Sequence, residues 1–384
     1  MISLFFLGFL LLTALWNLYY TKHWNAGLSV SLDFLQDYVY AGDQAGMTEQ
    51  IENRKKMMLP VLEAGFHMDK RLSFRDCENT NVSDFIYKRD IFALLGNQRI
   101  TRKLTLDCPK RGHYRIDSAD LTAFSMLHRQ RFSIQYPVKT ELYVYARRTN
   151  ISDILVACER LTGSLQCARR LYEDPFAFSS IREYTVTDPM NTINWKASAR
   201  TGELMVNTFE STLTERVMLY LDVEDSGILK YEYLIEESIS VAACLAQKLI
   251  GKGMEVGIYV NTALTGTEPV SSNADAPLPQ PVCLEPAGGK KQLTAIEQML
   301  AERRTGEKII PFTKLLSGPD DPAPPEDAVI IFISKNAALN RQAMETFTGR
   351  DRQAIWVLPY ARNEECNVKT AEQIHLIPRK VTDY

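Results

Sequence analysis

The sequence contains no common catalytic signature. It has no glycine-rich loop ending in Gly-Lys-Ser/Thr, no Gly-x-Ser-x-Gly elbow and no His-Glu-x-x-His pair. Histidine is scarce and scattered (His23, His67, His113, His128, His375), which excludes a histidine-based metal centre. The seven cysteines include no Cys-x-x-Cys and their number is odd. This excludes a disulfide framework and a structural zinc site, and fits buried thiols in a reducing compartment. Cys158 and Cys167 are the two close enough in sequence to suggest a bridge. No basic excess exists: the net charge is −3, so nucleic acid is not an expected partner. Gly251, Gly253 and Gly257 follow a helical pattern and enter an apolar run. That order is the reverse of a phosphate-binding loop, which needs a helix N-terminus.

What is present is a chain of 384 residues, 45% hydrophobic and 24% charged, enough for two or three domains. Residues 2–20 carry no charge and as a helix would be ~28 Å long, near the hydrocarbon thickness of a bilayer. Trp16, Tyr19, Tyr20 and Trp24 cluster at the far end, where an interfacial aromatic belt would lie. A cleaved signal peptide would need a basic start and a small-residue cleavage site, and neither is present. The expectation is an uncleaved transmembrane anchor over residues 1–24 in a single-pass protein of the cell membrane. Lys22, Arg54, Lys55 and Lys56 follow the span, which places the body in the cytoplasm.

Leu28, Val30, Leu32 and Phe34 alternate with polar residues, and turn-forming segments separate further such runs, so residues 28–150 read as a β-sandwich domain. From residue 217 the pattern changes. An apolar run at 217–222 precedes a helical stripe at 231–250, and another apolar run follows at 254–260. Strand–helix–strand order continues through 292–304, 329–334, 337–347, 354–359 and 374–377, so residues 216–384 read as a doubly wound α/β domain. Residues 151–215 connect the two. Residues 262–291 and 318–327, rich in proline and small polar residues, read as loops. The expected class is thus α+β multidomain: an N-terminal transmembrane helix, a β-sandwich, then a doubly wound α/β domain.

Two segments carry candidate chemistry. Asp222, Glu224 and Ser226 lie at the carboxyl end of the first α/β strand, where open sheets bind ligands and where Mg²⁺ would take hard oxygens. Acids that cap a solvated loop are the alternative. In residues 181–210, Arg182, Lys196 and Arg200 are interleaved with Tyr184, Trp195 and Phe209. Arginine and aromatics anchor interfaces, so this mixture suits a protein partner or an anion. Alternatively, Trp195 packs between domains while the cations pair with Glu183, Asp188 and Glu203.

The same segment resembles the signature of domain-of-unknown-function family 58. The matching positions run from Arg182, Tyr184 and Asp188 through Ile193, Asn194, Trp195, Lys196, Ala197, Ser198, Ala199 and Arg200 to Leu204 and Glu210. Arg111-Gly112-His113-Tyr114 is similar to the family's Arg-Gly-x-Tyr element. The chain departs from the pattern in Thr187-Asp188, where Gly-Asp is usual, and in the absence of Asp-x-Phe-Gly-Leu near 121–127. The resemblance implies a von Willebrand factor type A-like C-terminal domain. The metal-binding Asp-x-Ser-x-Ser of such domains stands here as Asp222-x-Glu224-x-Ser226, a degenerate set, and Ser334-Lys335 follows the later strand without an aspartate. The resemblance also implies a non-enzymatic adaptor or assembly role with a MoxR-type AAA+ ATPase and other membrane or assembly proteins, with no cofactor. A metal-dependent ligand-binding protein using residues 222–226 is a second reading. A third is an enzyme with an unrecognised site around Lys196 and Ser198.

Overall fold

The computed structural model describes residues 2–75, 80–82, 85–124, 131–169, 178–185, 188, 190–209, 215–225, 230–263, 281–303, 309–317, 324–325, 328–349, 352–364, 366 and 368–382. The chain divides into two compact units. One comprises Met1–Arg148 with Glu297–Arg304, the other Thr149–Ile296 with Thr305–Tyr384.

In the first unit, Leu28–Phe34, Gln44–Asn53, Gln98–Asp107 and Ser73–Phe74 form an antiparallel sheet in that spatial order. A second sheet runs Tyr38–Tyr40, Arg131–Tyr145, Gly112–Phe124, Leu59–Asp69, Phe85–Leu94, Thr80–Val82. Period-two burial shows in Gln44–Asn53, where every second side chain from Ala45 onward is buried. Met47 and Leu106 of the first sheet share a cluster with Phe66, Tyr114 and Leu142 of the second, so the sheets pack face to face. Two inward positions, Glu49 and Asn53, break the apolar series. Glu49, 2% exposed, sits among Lys88, Asp90 and Arg102, and burial pushes its carboxyl up to about 7, with the Asp90 charge adding to the effect. Asp90 meets Arg102 at 3.1 Å and Lys88 at 3.7 Å.

The expected anchor and class need correction. A helix does form over Ile2–His23, but among the described residues no helix is long and apolar enough to cross a membrane. The physical reason lies at its C-terminal end. Tyr20 (1% exposed) and Trp24 (7%) join the core cluster of Leu28, Ile51, Leu59 and Leu121, and Trp24 stacks on Phe132. Those aromatics belong to the unit's core and form no interfacial belt. The single-pass membrane location falls with the anchor, and so does the orientation argument built on it. The class is a mixed α/β fold with strands in several sheets.

In the second unit a six-stranded sheet has the order Pro281–Ala287, Glu255–Ala263, Arg216–Leu221, Ala328–Ile333, Ala354–Ala361, Ile374–Val381. All pairs are parallel except the edge strand Pro281–Ala287. That strand falls inside the stretch expected to be a loop. An antiparallel edge tolerates Pro281 and Pro286 because one row of its N–H groups needs no partner. The central strands are buried over 217–221 and 328–333, as a parallel sheet covered on both faces requires. Tyr220, Phe332 and Trp356 pack with Phe312, Leu315 and Met344 on one face. The helix Glu232–Gly251 buries fourteen of its side chains, among them Glu237. Arg379 on the last strand donates to Glu237 at 2.7 Å and to the Asn150 carbonyl at 2.6 Å, and Thr149 Oγ1 donates to the same carboxylate at 2.9 Å. Cys158 and Cys244 are buried thiols outside any disulfide.

Candidate functional site

The signature segment forms a small lobe. Strands Phe178–Glu183 and Met205–Phe209 pair antiparallel. Between them lie a 3-10 turn, Met190–Thr192, and a helix, Trp195–Thr201. Local chemistry dictates each bend. Asp188 Oδ2 accepts from the N–H (2.9 Å) and hydroxyl (2.8 Å) of Thr185, closing the turn. Asn194 caps the helix by accepting from Ala197 N–H at 3.0 Å, and its own amide donates to Asn207 Oδ1 at 2.7 Å. Gly202, at φ 80°, ends the helix in the left-handed conformation. Ser198 donates to the Asn194 carbonyl and accepts from Met205 N–H, each at 2.8 Å, stitching helix to strand. Tyr184 N–H donates to the Leu204 carbonyl at 2.8 Å.

The lobe thus brings Arg182, Tyr184, Asp188, Asn194 and Ser198 together as framework. Arg182 pairs with Asp188, and its bidentate contact together with the Thr185 donors holds that carboxyl well below the usual carboxylate range. Trp195, Lys196 and Arg200 are placed differently. Trp195 is 69% exposed. Lys196 and Arg200 are exposed on one side of the helix, four residues apart, with no ion pair among the described residues. Asp188 is taken by Arg182. Ser198's hydroxyl is committed in both directions, and among the described residues no hydrogen bond joins it to Lys196.

The acidic loop has a different character. Asp222, 1% exposed, accepts five hydrogen bonds. Oδ1 takes Glu224 N–H (2.9 Å) and Asn261 Nδ2 (2.8 Å), while Oδ2 takes Ser334 Oγ (2.7 Å), Asn336 Nδ2 (3.0 Å) and Asn340 Nδ2 (2.7 Å). Burial pushes this carboxyl up, and the donors oppose that shift. A carboxylate offers about four lone-pair directions, so these donors leave no face for a metal. Glu224 Oε2 accepts from Phe312 N–H at 3.3 Å. Lys335 forms an ion pair with Asp225. Ser226 lies outside the described residues, as does Glu210. Among the described residues no group of three acidic, histidine or cysteine side chains is placed to hold a metal ion. The residues present therefore do not fit Mg²⁺. Sequence reasoning named Asp222 but missed Asn261, Asn336 and Asn340. Their signal was positional: register aligns Leu221 with Val260 and Ile333, so the residues that follow, Asp222, Asn261 and Ser334, emerge side by side.

The Arg-Gly-x-Tyr element is also structural. Buried Arg111 donates to the carbonyls of Leu300 (3.1 Å) and Arg303 (3.0 Å), and Tyr114 donates to the Lys110 carbonyl at 2.7 Å.

Residues 180–306, which begin at this lobe, match the model of the family described as protein of unknown function DUF58. The match stops short of the last three strands. A curated relative is the uncharacterized protein YeaD of Bacillus subtilis (strain 168), 23% identical over 258 residues, 66% of this chain. The chain spans 60% of that relative's length. Among solved structures, the CARDB domain of a Pyrococcus furiosus protein, in complex with di-metal ions, shows 10% identity over 30% of this chain and 94% of its own, with a TM-score of 0.20. A non-cellulosomal cohesin from Archaeoglobus fulgidus shows 9% identity over 34% of this chain and 97% of its own, with a TM-score of 0.22. Likeness at those scores carries no argument about this protein.

Proposed function

We propose that this protein is a non-enzymatic adaptor whose docking surface is the helix Trp195–Thr201, and that the partner is a MoxR-type AAA+ ATPase acting in protein assembly. The observation that supports the reading is the exposure of Trp195, Lys196 and Arg200, the two cations without an ion pair among the described residues, on a helix capped by Asn194 and ended by Gly202. An exposed tryptophan and an exposed arginine on one short helix are the residue types that anchor interfaces. Because the lobe is internally satisfied, docking costs little ordering entropy. The metal-dependent reading is weakened by the five donors on Asp222. The enzymatic reading is weakened by the committed Ser198 hydroxyl.

The test is co-purification of the full chain with the MoxR-type ATPase of the same organism. Wild type is expected to retain the ATPase, and Lys196→Ala with Arg200→Ala to lose it, with the thermal midpoint unchanged. Undiminished capture by the double variant, or no capture by the wild type, would overturn the proposal.

A further inference from the structure

Three acids, Asp222, Glu224 and Asp225, stand within four positions at the carboxyl edge of the parallel sheet, and none of them is exposed. Carboxylates crowded into one partly buried loop repel each other and are poorly solvated, so the loop needs donors and positive charge. A divalent ion at such an edge does two jobs. It neutralises the acids, and it ties their loop to the loop that follows the neighbouring strand. In this chain side chains that follow the strand Ala328–Ile333 do both. Asn336 makes the tie, donating to Asp222 Oδ2 at 3.0 Å and to the Glu224 carbonyl at 2.8 Å. The other donors to Asp222 are hydroxyl, amide and backbone groups, which bring no charge. The charge comes from Lys335, whose ammonium pairs with Asp225, the two side chains being 7% and 15% exposed.

Lys335 is placed at a cost. A buried ammonium is expensive unless it is paired. It also stands two residues ahead of the helix Ala337–Thr348, where the helix dipole disfavours a cation. Asp225 and the face of the Tyr231 ring, whose centroid is 6.0 Å from the ammonium, offset these costs.

We infer that Lys335 is a tethered counter-cation that takes the place of a divalent ion at this edge. Because the charge is attached to the chain, its local concentration does not depend on the surroundings. The loop 222–225 is held in one arrangement whether or not free metal is present. An ammonium offers three donors and no open coordination position, so recognition at this edge runs through hydrogen bonds and charge and is indifferent to chelators.

Thermal unfolding of the full chain, in chelator and in rising Mn²⁺, tests this. The wild-type midpoint is expected to stay where it is throughout. Lys335→Met keeps an apolar stem and drops the charge. Its midpoint should fall by several degrees in chelator and climb back as Mn²⁺ reaches the millimolar range, where sites with few carboxylates bind. Lys335→Met combined with Asp225→Asn removes both charges. This pair should recover most of the loss and ignore Mn²⁺, as coupled neighbours do. If Lys335→Met alone does not fold, folding of the paired variant without metal supports the inference and its failure to fold sinks it. Three other results would overturn it. One is a Lys335→Met midpoint equal to that of wild type, which makes the ion pair idle. Another is a midpoint lowered to the same extent with and without Mn²⁺, which reduces Lys335 to packing. The third is a response to Mn²⁺ that persists in the paired variant, which places the ion elsewhere.

Discussion

Arg182 grips Asp188 at two points, Nη1 to Oδ2 at 2.7 Å and Nη2 to Oδ1 at 2.6 Å, and so closes the turn that precedes the signature helix. Hydrogen bonds from Arg182 and Thr185 favour the ionised form, so the folded carboxyl titrates below its unfolded value. The clamp is therefore complete above the ordinary aspartate range and weakens as pH falls below about 4. Asp188→Asn is expected to speed amide exchange of residues 184–204 at pH 7 without unfolding either unit. Exchange unchanged in this variant would show that the turn holds without the clamp.

Glu49 gives the opposite sign. Its folded carboxyl is raised to about 7 by burial and by Asp90, above an ordinary value of 4.5. Between those values the folded state holds a proton that the unfolded state releases, so stability falls as pH rises from 4.5 through 7. The groups that face it are Asp90, Lys88 and Arg102. Glu49→Gln should remove this slope and stabilise the first unit at pH 8 by on the order of 3 kcal/mol. Urea denaturation of wild type and variant at pH 5 and pH 8 reads the difference directly. Parallel pH dependence in the two proteins would refute it.

Asp222 should behave as a structural carboxylate. Asp222→Asn places an amide among five donors and is expected to cost about 3 kcal/mol in urea unfolding. Millimolar Mg²⁺, Mn²⁺ or a chelator should leave the wild-type thermal midpoint where it is, because no ligand that binds only the folded state is gained or lost. A midpoint that climbs with Mn²⁺ concentration in wild type, and not in Asp222→Asn, would show a metal site.

Trp195→Ala should change stability by no more than about 0.5 kcal/mol, the usual range for exposed positions. Truncating a core tryptophan would cost about 3–5 kcal/mol. Chemical denaturation separates the two, and a loss in the larger range would place Trp195 in packing.

The sequence made the second unit's long helix legible to within a residue at each end, because Leu234, Ile235, Ile239, Ala242, Leu245, Ala246 and Leu249 follow one face and glycines stop it. It hid the edge strand Pro281–Ala287, whose prolines read as loop until an edge position explains them. It misplaced Tyr20 and Trp24, since an aromatic cluster after an apolar run looks the same whether it faces lipid headgroups or a neighbouring sheet. At the candidate site, the residue types in 182–200 pointed to the lobe, but their division into framework and exposed surface depends on which acid each cation meets. The asparagine cage around Asp222 was invisible, because Asn261, Asn336 and Asn340 converge through strand register, a relation that linear spacing does not encode.

The bonds from Arg379 to Glu237 and to the Asn150 carbonyl tie the second unit's opening segment to its last strand across more than 220 residues of chain. The unit is in effect a belt with a buckle. Any deletion that reaches Arg379 does more than shorten a sheet: it strands the Glu237 carboxylate, 3% exposed, without its cation. The uncompensated charge would be felt inside the longest helix of the unit, so unfolding of such a deletion should spread from the middle of the molecule rather than from the cut.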